Sequence, residues 1–100
     1  MIDWTRIVGF DWDVGNASKS ADKHGVGHTE AEQAFSNEPL LVFADARHSA
    51  GELRFHAFGR TSSGRRLQVT FTLRADGTLI RVISARDMSA KERLSYVQGA

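Results

Sequence analysis

The feature that most constrains the fold is a run of alternating residues between positions 52 and 86. Residues 66–73 (RLQVTFTL) place apolar side chains at every odd position, and residues 52–59 (ELRFHAFG) alternate in a similar way. Residues 79–85 (LIRVISA) are more continuously apolar. Successive side chains of a strand point to opposite sides, so this pattern predicts two half-buried antiparallel strands and one central strand. Asp76-Gly77 suits the second of the two tight turns between them.

The rest of the chain adds two further strands and three helices to this prediction. Residues 6–12 (RIVGFDW) read as a first strand, and residues 40–44 (LLVFA) as an antiparallel partner of residues 52–59. Residues 16–24 form a polar, weakly helical segment that ends at Gly25, a residue suited to a helix C-cap. Helices also follow position 29 and position 89.

The second and third helices carry recognisable start signals. Thr29 with Glu32 three residues later is a capping-box pattern, and Ser89 with Glu92 is another. A chain of 100 residues can bury one modest core, which predicts a single small domain over residues 1–100. The predicted fold class is α+β: a four- to five-stranded antiparallel sheet, two helices in the N-terminal half and a C-terminal helix.

The charge is distributed very unevenly along a nearly neutral chain. Residues 46–86 contain eight arginines against two acidic side chains, a net charge of +6, whereas residues 1–45 have a net charge of −5. Guanidinium groups offer a planar pair of donors that matches phosphate, so a strand region rich in arginine favours a phosphate-containing ligand. The alternative is that the arginines solvate strand edges and turns. We favour that alternative for Arg65, Arg66 and Arg74, and function for Arg54, Arg60, Arg81 and Arg86.

Several classes of protein are excluded or disfavoured by composition and motifs. The chain contains no cysteine, so it has neither disulfides nor thiolate metal sites. No apolar run approaches the roughly 20 residues that span a bilayer, and no signal peptide is evident, so we expect a cytoplasmic protein without membrane contact. His24 and His28 have helical spacing, but Gly25 and Gly27 interrupt that helix, which argues against a metal site. Phosphate-loop and nucleophile-elbow motifs are absent.

Metal-free cleavage of RNA is the chemistry that these residues fit best. The 2′-hydroxyl of RNA is an internal nucleophile, so the protein needs a base, an acid and cations at the phosphate. The candidate proton-transfer groups are Glu52, His24, His48 and His56. Trp12 could stack on a base instead of packing in the core. The sequence does not show whether Glu52 or one of the histidines transfers the proton.

A resemblance to a known family supports this reading. The motifs that carry it are Phe10-Asp11-Trp12-Asp13, Lys23-His24-Gly25-Val26, Glu52-Leu53-Arg54-Phe55, Gly59-Arg60-Thr61-Ser62, Ile80-Arg81-Val82-Ile83-Ser84-Ala85-Arg86, and Lys91-Glu92-Arg93 followed by Tyr96. In this order they resemble BrnT toxins, the ribonuclease halves of a bacterial type II toxin–antitoxin pair. The likeness covers about residues 10–96. Ser20 and residues 27–29 depart from the usual family pattern.

The resemblance implies a RelE-like fold and an endoribonuclease that suppresses translation without a cofactor. It also implies a BrnA-like antitoxin, whose complex with the toxin binds operator DNA. Carried over by position, the implied catalytic residues are Lys23, His24, Glu52, Arg60, Arg81 and Arg86. We expect Trp12, Arg54, His56 and Tyr96 to bind substrate, and of these the resemblance implies Trp12 and Tyr96. The alternatives are a module that binds nucleic acid or antitoxin without cleavage, and a structural partner subunit. The nuclease reading requires Arg60, Arg81 and Arg86 to meet in one hollow.

Overall fold

The computed structural model describes residues 2–12, 24–47 and 51–99 of the chain. It contains five strands and two helices in these ranges. In chain order they are β1 (Gly9–Phe10), α1 (His28–Ser36), β2 (Leu41–Ala44), β3 (Phe55–Arg60), β4 (Arg66–Arg74), β5 (Leu79–Asp87) and α2 (Ala90–Gly99). This is a small α+β fold, as the sequence predicts. The predicted helix over residues 16–24 lies outside the described residues except for His24.

The strands form one sheet in the order β1-β5-β4-β3-β2. The pairs β2–β3, β3–β4 and β4–β5 are antiparallel, which confirms the predicted partnership of residues 40–44 with residues 52–59. The prediction of a wholly antiparallel sheet is wrong, because β1 runs parallel to β5, with Gly9 opposite Leu79. The predicted first strand is also shorter than expected. Its beginning forms part of a 3₁₀ turn, Trp4–Arg6, which the Asp3 carboxylate caps by accepting from the Thr5 amide.

The hydrophobic core lies between the sheet and α1. Ala31 and Ala34 of α1 are fully buried against strand residues that include Ala57, Val69 and Phe71. Gly59 permits this close approach, because a Cβ atom at that position would lie 2.3 Å from the Ala34 carbonyl oxygen. The small residues on both elements therefore set how tightly α1 packs on β3.

Of the two predicted capping boxes, one is confirmed and one is wrong. At α2, the Ser89 amide donates to Glu92 Oε1 at 2.8 Å, and the Glu92 amide donates to Ser89 Oγ at 3.2 Å. At α1, the helix already begins at His28, so Thr29 lies inside the first turn. The acidic residue that caps it is Glu30, whose Oε1 accepts from the Gly27 amide at 3.4 Å.

A bulge in β5 changes which of its side chains share a side of the sheet. Ser84 lies opposite Thr70 and Val82 lies opposite Phe71, so Ile83 has no partner on β4. Arg81 and Arg86 are five positions apart, and strict alternation would place them on opposite sides. The extra residue at Ile83 shifts the alternation by one position, so both arginines lie on the same side of the sheet.

The second helix lies on the side of the sheet opposite α1. Its Tyr96 hydroxyl donates to the Pro39 carbonyl oxygen at 2.5 Å, and the Leu41 side chain lies against Gly99. Glu92 binds Arg86 of β5. The helix thus crosses from β5 towards β2 near one end of the sheet. In the described ranges, neither helix has the length and apolar character required to cross a membrane.

Candidate functional site

One side of the sheet collects most of the arginines that the sequence predicts to bind phosphate. Cross-strand register places Arg60 opposite Arg66, Arg86 opposite Gln68, and Arg81 opposite Thr72. We call this side the arginine face. It carries Arg60, Arg66, Arg74, Arg81 and Arg86 together with His56, Gln68, Thr70 and Thr72. Arg54 directly precedes β3 and continues its alternation on the side of His56.

The three arginines that were expected to meet in one hollow instead lie in successive rows of this face. Gln68 and Thr72, the partners of Arg86 and Arg81, are four residues apart on β4, which corresponds to about 14 Å of strand. Arg60 lies in a further row, about 7 Å beyond Gln68. The expectation of a single hollow is therefore wrong. The arrangement is a strip of cations, which fits an extended polyanion better than one isolated phosphate.

His56 lies in the row between Arg81 and Arg86 and is held by a polar network. Its Nε2 is 2.9 Å from Asp45 Oδ2, and its Nδ1 is 2.9 Å from Thr70 Oγ1 and 2.6 Å from Gln68 Nε2. The amide of Gln68 is a donor, so the compatible tautomer has Nδ1 accepting and Nε2–H donating to the carboxylate. Both ring nitrogens are thus engaged, and His56 can exchange a proton with a ligand only after one of these bonds opens.

The Asp45 carboxylate is the buried partner in this network. Its side chain is 8% exposed, and that of His56 is 31% exposed. Oδ1 of Asp45 also accepts from the Arg47 amide at 3.1 Å, so the carboxylate is fixed from two directions. A carboxylate in contact with an imidazole orients the ring and stabilises its protonated form, which is the usual support for a histidine that transfers protons.

Arg81 and Arg86 each have an acidic partner. Arg81 Nη1 is 3.4 Å from Asp11 Oδ2, and its side chain is 23% exposed. Arg86 makes a two-pronged contact with Glu92, at 2.7 Å and 2.9 Å. This contact raises the pKa of Arg86 and lowers the pKa of Glu92 to about 2. The α2 helix therefore covers Arg86, while Arg81 lies outside the span of that helix.

Glu52 lies at the far end of the arginine face, where it forms an ion pair with Arg74. Arg74 lies four residues along β4 from Thr70, the residue opposite His56, which corresponds to about 14 Å of strand. The structure thus places the two candidate proton-transfer groups in different rows. Glu52 has no contact with the His56 network, and a role at the same phosphate as His56 would require a large rearrangement.

Trp12 lies on the other side of the sheet. Its ring stacks on His28 with centroids 4.0 Å apart and an interplanar angle of 3°, and its Nε1 donates to Glu32 Oε2 at 2.8 Å. It also packs against the core cluster. These contacts occupy one face of the indole ring and its polar atom, so Trp12 does not join His56 and the arginines.

His24 belongs to a third group of residues, beyond the end of the sheet. Its carbonyl oxygen accepts from Arg65 Nη2 at 3.1 Å. Arg65 also binds Glu30 and Asp87, and the contact with Asp87 is the main cause of the raised pKa of Arg65 and of the lowered pKa of Asp87. Arg65 therefore links α1 to β5 and to the residues that precede α1. Lys23 and His48 lie outside the described residues.

Tyr96 is the buried residue of α2, with 3% exposure, and its side chain lies between the helix and the sheet. Burial raises the pKa of its hydroxyl, although Arg60 and Arg66 lie close enough to oppose the increase. With its hydroxyl donating to Pro39, this side chain anchors α2 on the sheet. A substrate would have to displace the helix to reach the phenol.

Four residues of this region were not singled out in the sequence. Asp45, Gln68 and Thr70 complete the His56 network, and Phe43 lies directly opposite His56 on β2. The polar positions of an alternating strand contained Gln68 and Thr70, and that signal alone could have pointed to them. Asp45 and Phe43 depend on the β2–β3 register, which no local pattern encodes.

Neither the cavities nor the acidic side chains of the described ranges indicate a different functional site. A cavity of about 580 Å³ is lined by apolar side chains that include Trp4, Val42 and Phe55, and it contains none of the predicted site residues. Another cavity of about 420 Å³ lies beside Arg65, Arg66 and Arg93. In the described ranges, no group of three or more histidine, aspartate or glutamate side chains is placed to hold a metal ion.

Comparison with known proteins gives one family. The family described as "Ribonuclease toxin, BrnT, of type II toxin-antitoxin system" matches residues 12–92. A similar fold occurs in the 1.1 Å crystal structure of the ribonuclease toxin BrnT from Brucella abortus, with 23% sequence identity and a TM-score of 0.62. The match covers 82% of this chain and 97% of that one. No curated protein gives a significant match. Because the family match extends over most of the chain, from Trp12 to Glu92, this protein belongs to the BrnT family of ribonuclease toxins of type II toxin–antitoxin systems.

Proposed function

We propose that this BrnT-family protein is a metal-independent endoribonuclease that acts on single-stranded RNA in the cytoplasm and thereby inhibits translation. The requirement that Arg60, Arg81 and Arg86 meet in one hollow is not met, so the proposal rests instead on the Asp45–His56 pair. This pair lies on the same face as Arg54, Arg81 and Arg86. A proton-transfer group set among cations is what cleavage of an RNA phosphodiester needs. The family match supports the ribonuclease class, and the mechanism is our inference.

The reaction that fits these residues is internal transesterification. The ribose 2′-oxygen attacks phosphorus, a new P–O2′ bond forms, and the P–O5′ bond breaks. The 2′-hydroxyl proton passes to a base, and the departing 5′-oxygen receives a proton from an acid. Negative charge accumulates on the phosphate oxygens during this step, so guanidinium groups stabilise the transition state more than the ground state.

His56 is assigned one of the two proton transfers. For RNA to reach Nδ1, the buried side chains of Gln68 and Thr70 must both turn away from it, whereas Asp45 stays in place because the Arg47 amide holds its carboxylate. Asp45 then remains on Nε2–H and stabilises the imidazolium as Nδ1 takes up the proton. Arg81 and Arg54 bind the phosphate from the neighbouring row, and Arg86 contributes when α2 moves.

The partner that we propose is a BrnA-like antitoxin that covers the arginine face. The arginines of this face, of which Arg60 and Arg66 are exposed, attract an acidic protein surface as well as RNA. An antitoxin that binds there blocks the Asp45–His56 pair directly. Operator DNA is then bound through the antitoxin in the complex and not by this chain alone.

The first experiment tests cleavage and its metal dependence together. Purified protein is incubated with single-stranded RNA in excess chelator, and the products are sized and analysed by mass spectrometry. We expect shortened RNA that ends in a 2′,3′-cyclic phosphate, and a large decrease in rate for Arg81→Ala. Loss of cleavage on chelation contradicts metal independence, and a wild-type rate for Arg81→Ala contradicts its assigned role.

A second experiment tests whether His56 or Glu52 transfers the proton. We expect His56→Gln to lower kcat by about 10²-fold or more, the usual contribution of a general acid or base. Glu52→Gln should remain within a few-fold of wild type because Glu52 is paired with Arg74 in a distant row. His28→Gln, on the other side of the sheet, is the matched control. Loss of activity in Glu52→Gln alone would transfer the proton role to that carboxylate.

The engagement of both His56 ring nitrogens favours one alternative function. In that alternative the arginine face binds RNA or antitoxin without cleavage, and His56 is a structural residue of the sheet. The two functions differ in a simple observation: RNA that is retarded on a gel but keeps its length indicates binding alone.

A further inference from the structure

Phe43 is an exposed aromatic residue directly beside His56. Its side chain is 50% exposed, although it lies on a strand of the sheet. The β2–β3 register places Phe43 opposite His56. Side chains of directly opposed residues have Cβ atoms about 5 Å apart, so the ring lies within one nucleotide of any phosphate that reaches the histidine.

The orientation of this ring is restrained from one side. Phe43 contacts Phe58 edge to face, with ring centroids 5.4 Å apart and an interplanar angle of 64°. Phe58 is partly buried, so it is a firm support for its more exposed neighbour. Edge-to-face contact uses one side or edge of a ring and leaves a π face available for another flat group.

Other exposed apolar residues lack this setting. Trp4 is the remaining exposed aromatic among the described residues, and it packs towards Phe35 and Phe71 on the side of α1. Leu94 and Val97 lie on α2 and have no aromatic face. Phe43 is distinguished by its place next to a histidine and in the same sheet face as several arginines.

We propose that Phe43 is a stacking platform for the nucleobase next to the cleaved phosphodiester. The ligand class is a base of single-stranded RNA, and since every base has a π face, the platform selects unpaired RNA over duplex without selecting one base. The inference rests on the proposed function, for which it supplies the base subsite. It also replaces Trp12, which packs elsewhere, as the aromatic contact to substrate.

The test uses RNA that cannot be cleaved, so that binding is measured apart from catalysis. A single-stranded oligomer of about ten nucleotides, fully 2′-O-methylated and carrying 2-aminopurine at its centre, is titrated with wild-type protein, Phe43→Leu and Phe43→Trp. We expect quenching with wild type, an affinity about tenfold weaker with reduced quenching for Phe43→Leu, and recovery for Phe43→Trp. Leu94→Ala, an exposed apolar change on α2, should match wild type.

A second arm identifies the contact as one to a base. An oligomer of the same length in which every nucleotide is abasic should abolish the difference in affinity between wild type and Phe43→Leu, because no base is then available to stack on residue 43. Equal quenching by wild type and Phe43→Leu overturns the inference even if cleavage is established. Normal stacking without cleavage of ordinary RNA overturns the proposed nuclease function and leaves the subsite. Unchanged RNA binding together with weakened antitoxin binding assigns Phe43 to the protein partner and also overturns the inference.

Discussion

At the scale of single residues, the hydrogen bonds and ion pairs that a polar side chain makes across the fold determine its role. Asp45, Gln68 and Thr70 fix the orientation of the His56 ring. Arg65 was expected to be a solvated turn residue, and it instead connects Glu30, Asp87 and the His24 carbonyl oxygen. Side chains of the same type thus have different roles, which the contacts made across the fold determine.

One prediction at this scale concerns Asp45. We expect Asp45→Asn to lower kcat for RNA cleavage by about 10²-fold with little change in KM, because an amide cannot stabilise a protonated imidazole. Initial-rate kinetics over a range of RNA concentrations give both parameters. Asp76→Asn, whose exposed carboxylate lies 3.8 Å from Arg6, is the control. A raised KM with unchanged kcat would show that Asp45 serves RNA binding alone.

At the scale of secondary-structure elements, the two helices are attached in different ways. α1 packs through small buried residues against Gly59, whereas α2 is tied by Tyr96, by Gly99 against Leu41, and by the Arg86–Glu92 ion pair. The local start signal of α2 was readable because Ser89 and Glu92 act within one turn. The start of α1 was misplaced, because Gly27 gives no side-chain signal and two glutamates follow.

Replacement of Gly59 tests the packing of α1. In Gly59→Ala the new Cβ atom would meet backbone atoms of Ala34, at 2.3 Å from its oxygen and 3.0 Å from its carbonyl carbon. We expect a loss of about 1–3 kcal/mol or more in the free energy of unfolding, seen as a lower midpoint in urea. Gly9→Ala is the matched strand control, since its Cβ atom would lie 3.6 Å from Leu79. Equal midpoints for the two variants would show that α1 can shift without cost.

Acid should release α2 before the sheet unfolds. The Arg86 contact holds the pKa of Glu92 at about 2, below its ordinary value of 4.5. A carboxylate whose pKa is depressed in the folded state stabilises it above the unfolded value, and this contribution is lost as the pH falls from about 4.5 towards 2. We expect the NMR signals of the Tyr96 ring to shift in that window in wild type. In Glu92→Gln the shift should be absent, and an identical titration in both proteins would contradict the assignment.

At the scale of the whole molecule, folding converts an uneven linear charge distribution into a basic face. Five of the eight arginines of residues 46–86 lie in β3, β4 and β5, which lie side by side in the sheet. Glu52, Asp11 and Glu92 offset part of this charge at Arg74, Arg81 and Arg86. The field that attracts a polyanion is therefore strongest at the Arg60–Arg66 end of the strip, and ionic strength controls affinity. An extended ligand also explains why the arginines lie in rows and do not surround one phosphate.

Salt dependence measures this effect. Arg66 lies opposite Arg60 at the end of the strip, and the cavity beside it is also lined by Arg93. We expect Arg66→Gln to reduce the slope of log Kd against log salt concentration for single-stranded RNA by about 0.7, the value for one lost phosphate contact. Arg6→Gln removes the same charge near the Asp76 turn and should leave the slope unchanged. Equal slopes in all three proteins would mean that Arg66 does not contact RNA.

The sequence by itself determined strands β2 to β5, the N-terminal capping box of α2 and the family, because alternation and capping depend on neighbours in the chain and the motifs keep their order. It also predicts that arginine and histidine side chains carry the chemistry, and this stays a prediction. Tertiary structure alone decided the parallel placement of β1, the bulge at Ile83 that brings Arg81 and Arg86 to one side, and the β2–β3 register that sets Asp45 and Phe43 beside His56. These features depend on hydrogen bonds between distant segments, and a shift of one residue in register would move every one of these side chains to the opposite side of the sheet.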